Sequence, residues 1–339
     1  MIRQVIIGLV VSLACLAWVL RKLDFALLWN TIQHINWLYF IAVNFLLAIS
    51  LWLRALRWRL MLEPVKKTSL GNLFWATIIG FGANNMLPAR LGELVRAYAL
   101  GRLEQIPATS ALATVLLERV LDGMVLLLVL FLALLFIDPQ AKAGAFTVSY
   151  LKAAGYGLLV VYLGVMALAA ALWRWPQATI RLVSGLIRKI SDRLEEKAVN
   201  ALTSFHQGLA MLGRGHGMPA ILLLSLLVWL VFWGIYWVFL PAVGLPLSLI
   251  LAAMAMAGGG LGAAVPAGPG YIGTFQLAVT WALIMAGAGA QQALAYSLLI
   301  WAATYFPLTG AALIVMWQKG MALARIQGEI SKEKEAGSL

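Results

Sequence analysis

The sequence predicts an all-α polytopic membrane protein, with about six full spans and two re-entrant broken-helix hairpins in an inverted-repeat arrangement. Three observations predict it. Of 339 residues, 63% are hydrophobic and 11% charged, against about 45–50% and about 25% in ordinary soluble domains. Six apolar stretches reach the roughly 20 residues that a spanning helix needs. Two more apolar stretches are broken near their middles by Asn, Gly and Pro. This composition excludes a soluble globular enzyme, a disordered chain and a nucleic-acid-binding module. The net charge of +12 therefore faces a membrane and not a nucleic acid. The single cysteine, Cys15, excludes a disulfide framework or a cysteine metal site within the chain.

In chain order, the first span covers residues 2–20, with Arg3 before it and Arg21 and Lys22 behind. No small-residue cleavage site follows cleanly, so the segment reads as a retained span and not a removed signal. Residues 37–60 form the next span. The broken stretch 70–103 follows, interrupted at Asn84-Asn85-Met86-Leu87-Pro88-Ala89-Arg90, and then the span 107–137. A span at 151–173 leads into a polar linker, 176–217. Beyond it come a span at 218–240, a second broken stretch at 247–286 and a last span at 291–317. The second interruption reads Val265-Pro266-Ala267-Gly268-Pro269-Gly270-Tyr271.

These elements divide one membrane domain, 1–339, into two units: 37–137 with the hairpin 70–103, and 218–317 with the hairpin 247–286. Gly/Pro-interrupted segments at matching positions in two halves point to a transporter site near the bilayer midplane. Alternatively, Pro88, Pro266 and Pro269 merely kink ordinary spans. In the linker, Val183, Leu186, Ile187, Ile190 and Leu194 recur at helical spacing opposite Arg181, Arg188, Lys189 and Arg193. Such a basic amphipathic helix either lies on an anionic leaflet or covers the cytoplasmic side of the bundle.

Orientation follows from Lys and Arg in the connections. Arg3, Arg54, Arg57, Arg59, Lys66, Lys67, the basic residues of 174–214 and those of the tail fall on one side. Arg21, Lys22, Lys142 and Lys152 fall on the other. That asymmetry places both termini in the cytoplasm and the protein in a bacterial-type cytoplasmic membrane.

Charges at membrane depth are costly and need a reason. Glu118 and Asp122 share one face of the span 107–137, and Arg119 points about 100° away. They form either an intramembrane polar track or a structural ion pair with Arg90 or Arg96. In the first hairpin the leading limb ends at Asn84-Asn85 and a new helix starts after Pro88. Its N-terminal N–H groups and positive dipole end, with Arg90, Glu93 and Arg96 on one stripe, suit an anion such as phosphate; the other reading is a self-satisfied Arg-Glu-Arg ladder. In the second hairpin Gly268 and Gly270 allow close backbone approach and an N–H nest. Tyr271 suits an interface, and Gln276 can both donate and accept. No metal-ligand spacing, phosphate loop or nucleophile elbow occurs, so no catalytic residue, metal or cofactor is expected.

Three motifs carry a resemblance: Gly82-Ala83-Asn84-Asn85-Met86-Leu87-Pro88-Ala89-Arg90-Leu91-Gly92-Glu93-Leu94-Val95-Arg96, Glu118-Arg119-Val120-Leu121-Asp122, and Pro266-Ala267-Gly268-Pro269-Gly270-Tyr271-Ile272-Gly273-Thr274-Phe275-Gln276. In their order and spacing, over nearly the whole chain, the sequence resembles the lysylphosphatidylglycerol synthase transmembrane-region family, also called the flippase-like domain. Gln276 departs from the Glu that the family often has there. The resemblance implies a membrane protein that handles lipid headgroups: anionic phospholipid, polyprenyl phosphate or hopanoid-type lipid. With no aminoacyl-transferase domain before Leu339, aminoacylation is not expected. A lipid translocase is the first expectation, with Asn84, Asn85, Arg90, Glu93, Arg96, Gly268, Gly270, Tyr271 and Gln276 at the headgroup. A membrane-embedded glycosyltransferase using a polyprenyl-phosphate-linked donor is the second. An accessory protein that presents lipid to a partner is the third.

Overall fold

The computed structural model describes residues 2–22, 24–87, 91–135, 148–188, 218–265 and 268–321, with isolated positions between 191 and 206. The described residues are almost entirely helical. Helices α1 (Ile2–Lys22), α3 (Leu38–Leu62), α6 (Ala108–Leu135), α7 (Val148–Arg174), α9 (Met218–Val238) and α12 (Ala290–Gln318) occupy the six expected apolar stretches. Three of these helical segments, Leu38–Leu62, Met218–Val243 and Ala290–Gln318, are long and apolar enough throughout to cross a membrane. One short helix was not foreseen, α2 (Phe25–His34), between the first two apolar stretches; another, α8 (Pro176–Arg188), covers the first part of the amphipathic helix expected in the linker.

Each broken stretch forms two helical limbs. The first gives α4 (Leu70–Met86) and α5 (Gly92–Glu104); the second gives α10 (Leu249–Ala264) and α11 (Thr274–Met285). Both leading limbs stop for the same reason. Leu87 and Val265 each precede a proline, whose ring excludes the α region from the residue before it. Leu87 is extended at φ −105°, ψ 142°, and Val265 at φ −66°, ψ 134°. The first break lies slightly later than expected, so Asn84 and Asn85 sit in the last turn of α4 and not beyond it.

Glycine brings the limbs together. A Cβ on Gly80 would lie 2.4 Å from Arg96 Cβ, and one on Gly258 would lie 2.8 Å from the Ala278 carbonyl oxygen. Helices inside a bilayer gain stability by such close approach of small residues, because burial from water contributes little there.

Contacts within and between the segments 37–137 and 218–317 largely correspond, although the contact of α3 with α6 has no equally strong counterpart between α9 and α12. Helix α4 packs on α3, α5 and α12; α10 packs on α9, α11 and α6. Helix α5 closes on α6, and α11 closes on α12. Helix α3 touches α12, α9 touches α6, and α3 and α9 pack on each other. Outside these units α1 docks on α11, and α8 docks on α7, which rests on α6. The hairpin tips meet in the middle of this arrangement.

Candidate functional site

Helix α3 turns Ser50, Arg54 and Arg57 inward, at helical spacing of four and three. Helix α6 contributes Glu118, Arg119 and Asp122, α5 contributes Glu93 and Arg96, and α9 contributes Ser225 and Trp229. The side chains of Arg57 and Glu118 are wholly buried, and Arg54, Arg96 and Asp122 nearly so. Asp122 accepts from Arg54 Nη1 at 2.9 Å, from Arg57 Nη1 at 2.8 Å and from Trp229 Nε1 at 3.1 Å. Glu118 Oε1 accepts from Arg96 Nη1 at 3.0 Å and lies 3.1 Å from Arg57 Nη2. Arg57 also donates to Ser225 Oγ at 3.0 Å. Arg119, one quarter exposed, stands 3.4 Å from Glu93 and 3.6 Å from Glu118.

Ion burial costs several kcal/mol per charge unless charges are paired and hydrogen-bonded. The mutual pairing of these side chains is what allows them to stay at this depth. The cluster changes the sequence reading of orientation in one respect. Arg54 and Arg57, counted there as topological charges, are not in a connection. They lie inside α3 and are buried in ion pairs, so neither marks the side of the membrane. The signal was present, since both fall within the apolar stretch 37–60.

Aromatic faces complete the lining. The Arg96 guanidinium lies 3.9 Å from the ring centre of Trp58, whose Nε1 is fixed by Thr114 Oγ1 at 2.8 Å. Arg54 and Arg119 each lie 5.3 Å from the ring centre of Phe81. A guanidinium over an aromatic face adds about 0.5–2 kcal/mol per contact.

In front of the cluster, between the two tips, is a cavity of about 240 Å³. Asn84, Asn85, Glu93, Arg119, Gly270 and Tyr271 line it together with Arg54, which the sequence had placed outside the membrane. Phe81, Phe232, Tyr236, Phe275, Trp301 and Tyr305 supply its aromatic wall. Their sequence signal was too weak to select them, because aromatic residues are spread through every span.

Other expected residues stand elsewhere. Arg96, expected at the headgroup, and Glu118 and Asp122, expected as a polar track or ion pair, sit behind the wall, held by the ion pairs. Gln276 is wholly buried, and its Oε1 accepts from the Gly273 N–H at 2.7 Å, which caps α11. Gly268 gives its N–H to Ser12 Oγ of α1 at 2.8 Å. Arg90, Pro88 and Pro266 lie outside the described residues. Along α5, Glu93 and Arg96 reach separately to Arg119 and Glu118 on α6; the Arg90 arm of the expected Arg-Glu-Arg ladder lies outside the described residues.

The tips are held by hydrogen bonds, one across the first break and others to α12. Asn84 Oδ1 accepts from the Gly92 N–H at 2.8 Å, across the break. Asn85 Nδ2 donates to Thr309 Oγ1 at 2.9 Å, and Tyr305 Oη donates to the Asn85 carbonyl at 3.3 Å. At the second tip Trp301 Nε1 donates to the Gly270 carbonyl at 2.8 Å. The backbone there is left-handed at Gly270 and at Tyr271, φ 68° and 55°. A non-glycine residue in that region is uncommon, and such strain persists where surrounding contacts enforce it. Helix α12 therefore touches both tips, through Tyr305 and Trp301.

Among the described residues, no group of three or more His, Cys, Asp or Glu side chains could hold a metal. Family comparison adds the following. The sequence model of a family described as the lysylphosphatidylglycerol synthase TM region matches residues 5–312. A UPF0104 membrane protein of Methanocaldococcus jannaschii is 36% identical over 74 residues, 21% of this chain and 22% of that protein. A UPF0104 membrane protein of Methanothermobacter thermautotrophicus is 26% identical over 237 residues, 66% of this chain and 69% of that one. A Haloferax volcanii protein named glycosyltransferase AglD is 28% identical over 258 residues, 67% of this chain and 40% of that one. The chain thus spans well under two thirds of the first and third of these relatives. No solved structure matches.

Proposed function

The chain belongs to the lysylphosphatidylglycerol synthase transmembrane-region family, and on that premise we propose that it is a lipid translocase that binds an anionic headgroup between its two hairpin tips. The observation that carries this reading is the charge around the cavity. Among the described residues, Arg54, Arg57, Arg96 and Arg119 are set against only Glu93, Glu118 and Asp122. Each guanidinium is paired, but the cluster keeps one positive charge in excess; such an excess in a low-dielectric site attracts an anion, and Arg binds phosphate oxygens through a planar fork of donors. Arg54 and Arg119 face the cavity and would make that contact. Arg96 and Arg57 hold the carboxylates behind them, a positioning role and not a ligand role. The aromatic wall would accept the apolar part of the headgroup and the start of the tails.

The matched contacts of the two units support an inverted repeat. Limbs of 12 to 17 residues fall short of the roughly 20 needed to cross, which supports re-entrant hairpins. The termini would face the cytoplasm, on the basic asymmetry that remains after Arg54 and Arg57 are set aside.

A headgroup-accessibility assay in reconstituted vesicles tests the reading. Arg119→Gln should slow exchange of an anionic lipid at least about tenfold, the cost of one charge-assisted contact. Exchange at the wild-type rate would refute the assignment of this cavity.

The similarity to a protein named as a glycosyltransferase favours a second reading, in which the same cavity holds a polyprenyl-phosphate-linked substrate for group transfer. Sugar transfer by the purified chain would establish it; lipid exchange without transfer would exclude it.

A further inference from the structure

A second polar groove lies away from the central cavity, at the C-terminal end of α3. It encloses about 290 Å³ and is lined by Leu56, Arg59, Leu60, Glu63, Lys67 and Thr68. We propose that this groove binds the phosphodiester headgroup of a membrane glycerophospholipid, as a peripheral site separate from the transport cavity.

The first argument is an orphaned donor. Thr68 is only 5% exposed, and its hydroxyl is buried without a hydrogen-bond partner. A buried hydroxyl left unpaired is unfavourable, so an acceptor that reached it would be stabilised there. A phosphate oxygen would satisfy it as an acceptor.

The second argument is charge. Arg59 and Lys67 line the same groove and are exposed. Lys66 is committed elsewhere, to the Glu104 carbonyl. One guanidinium fork and one ammonium beside a hydroxyl suit a phosphodiester. Glu63 at the rim offers an acceptor for a headgroup hydroxyl or amine.

Placement decides for a lipid over a free anion. The outward face of α3 carries Ile41, Phe45 and Trp52, exposed by 65%, 66% and 48%. Leu56 and Arg59 continue that stripe at helical spacing, so it runs directly into the groove. Acyl chains lying along the stripe would bring a headgroup to Arg59 and Lys67 at the polar boundary, where basic pockets recruit anionic lipids.

Native mass spectrometry of the full chain in mild detergent tests the proposal, with phosphatidylglycerol carrying two eight-carbon tails as the probe. Wild type should bind two lipids. Arg59→Gln and Lys67→Gln, on exposed positions, should each weaken one of the two by about tenfold. Thr68→Val should weaken the same one, with the folded fraction checked by gel filtration. Arg119→Gln should weaken only the other, so failure of the cavity assignment reads out separately. Unchanged lipid binding in both the Arg59 and Lys67 variants would overturn the site. So would full displacement of the groove lipid by millimolar inorganic phosphate, which would make it a site for a free anion.

Discussion

Asp122 accepts from Arg54, Arg57 and Trp229 at once, and this is why a short acidic side chain matters most in the cluster. Asp122→Asn keeps the shape and removes the charge, leaving three buried arginines, Arg54, Arg57 and Arg96, to share Glu118. Breaking one partner of a buried pair costs about 3–5 kcal/mol. The expected outcome is a much lower unfolding midpoint in mild detergent, well beyond that of Tyr305→Phe. The latter removes one neutral hydrogen bond, to the Asn85 carbonyl, and should cost about 1 kcal/mol. A midpoint for Asp122→Asn as mild as that of Tyr305→Phe would show that the carboxylate is not what holds the arginines. At this scale the sequence was informative about α5 and α6. Arg96 opposite Glu118 followed from charges inside apolar helices. Arg54 and Arg57 did not, because a basic residue near a span end looks the same whether it faces water or turns inward. The direction of the α3 face is set only by what packs against it.

For the helices, glycine decides which limbs can close. On Gly80 a methyl group would clash with Arg96 Cβ at 2.4 Å, inside the first hairpin. Gly123 in α6 has nothing within 4 Å of the same position. Gly80→Ala should therefore open the α4–α5 contact, destabilise the protein by about 1–3 kcal/mol and shift Arg96 off Glu118. Gly123→Ala should be neutral, or stabilising by up to about 1 kcal/mol through helix propensity. Thermal unfolding of the two variants side by side checks this; equal destabilisation would mean that the glycines matter through chain flexibility and not through contact. The helix breaks were legible in the sequence, since the residue before a proline leaves the α region wherever it is placed. Which glycines touch a neighbour was not, since Gly80 and Gly123 are equally helical in the sequence.

Over the whole molecule, the arrangement predicts a pattern of access from the two sides of the membrane. In a Cys15→Ser background, cysteines at Glu63 and Leu247, which precede the first and second hairpins, should react with a bulky impermeant reagent from opposite faces. A cysteine at Leu87, at the first tip, should resist that reagent from both. Labelling of Leu87→Cys from the face opposite Glu63 would mean that α4 crosses completely, and would end the re-entrant reading. Helix α1 adds a constraint of its own, for Ser12 accepts from the Gly268 N–H and so ties the second tip to a helix outside both units. Ser12→Ala should slow lipid exchange through that tip more than it lowers stability, as separate transport and melting measurements would register.

Composition and local chain chemistry were enough to determine a polytopic helical membrane protein, the six long helices among the described residues and the two proline-broken stretches. Those properties depend on residues close in sequence, through transfer to lipid and the steric rules of the backbone. Tertiary structure alone decided that Arg54 and Arg57 join Glu118 and Asp122. It also decided that Gln276 caps a helix away from the cavity, and that aromatic residues from several helices form one wall. Each of these is a choice of face, made when distant helices pack and buried charges find partners far away in the chain.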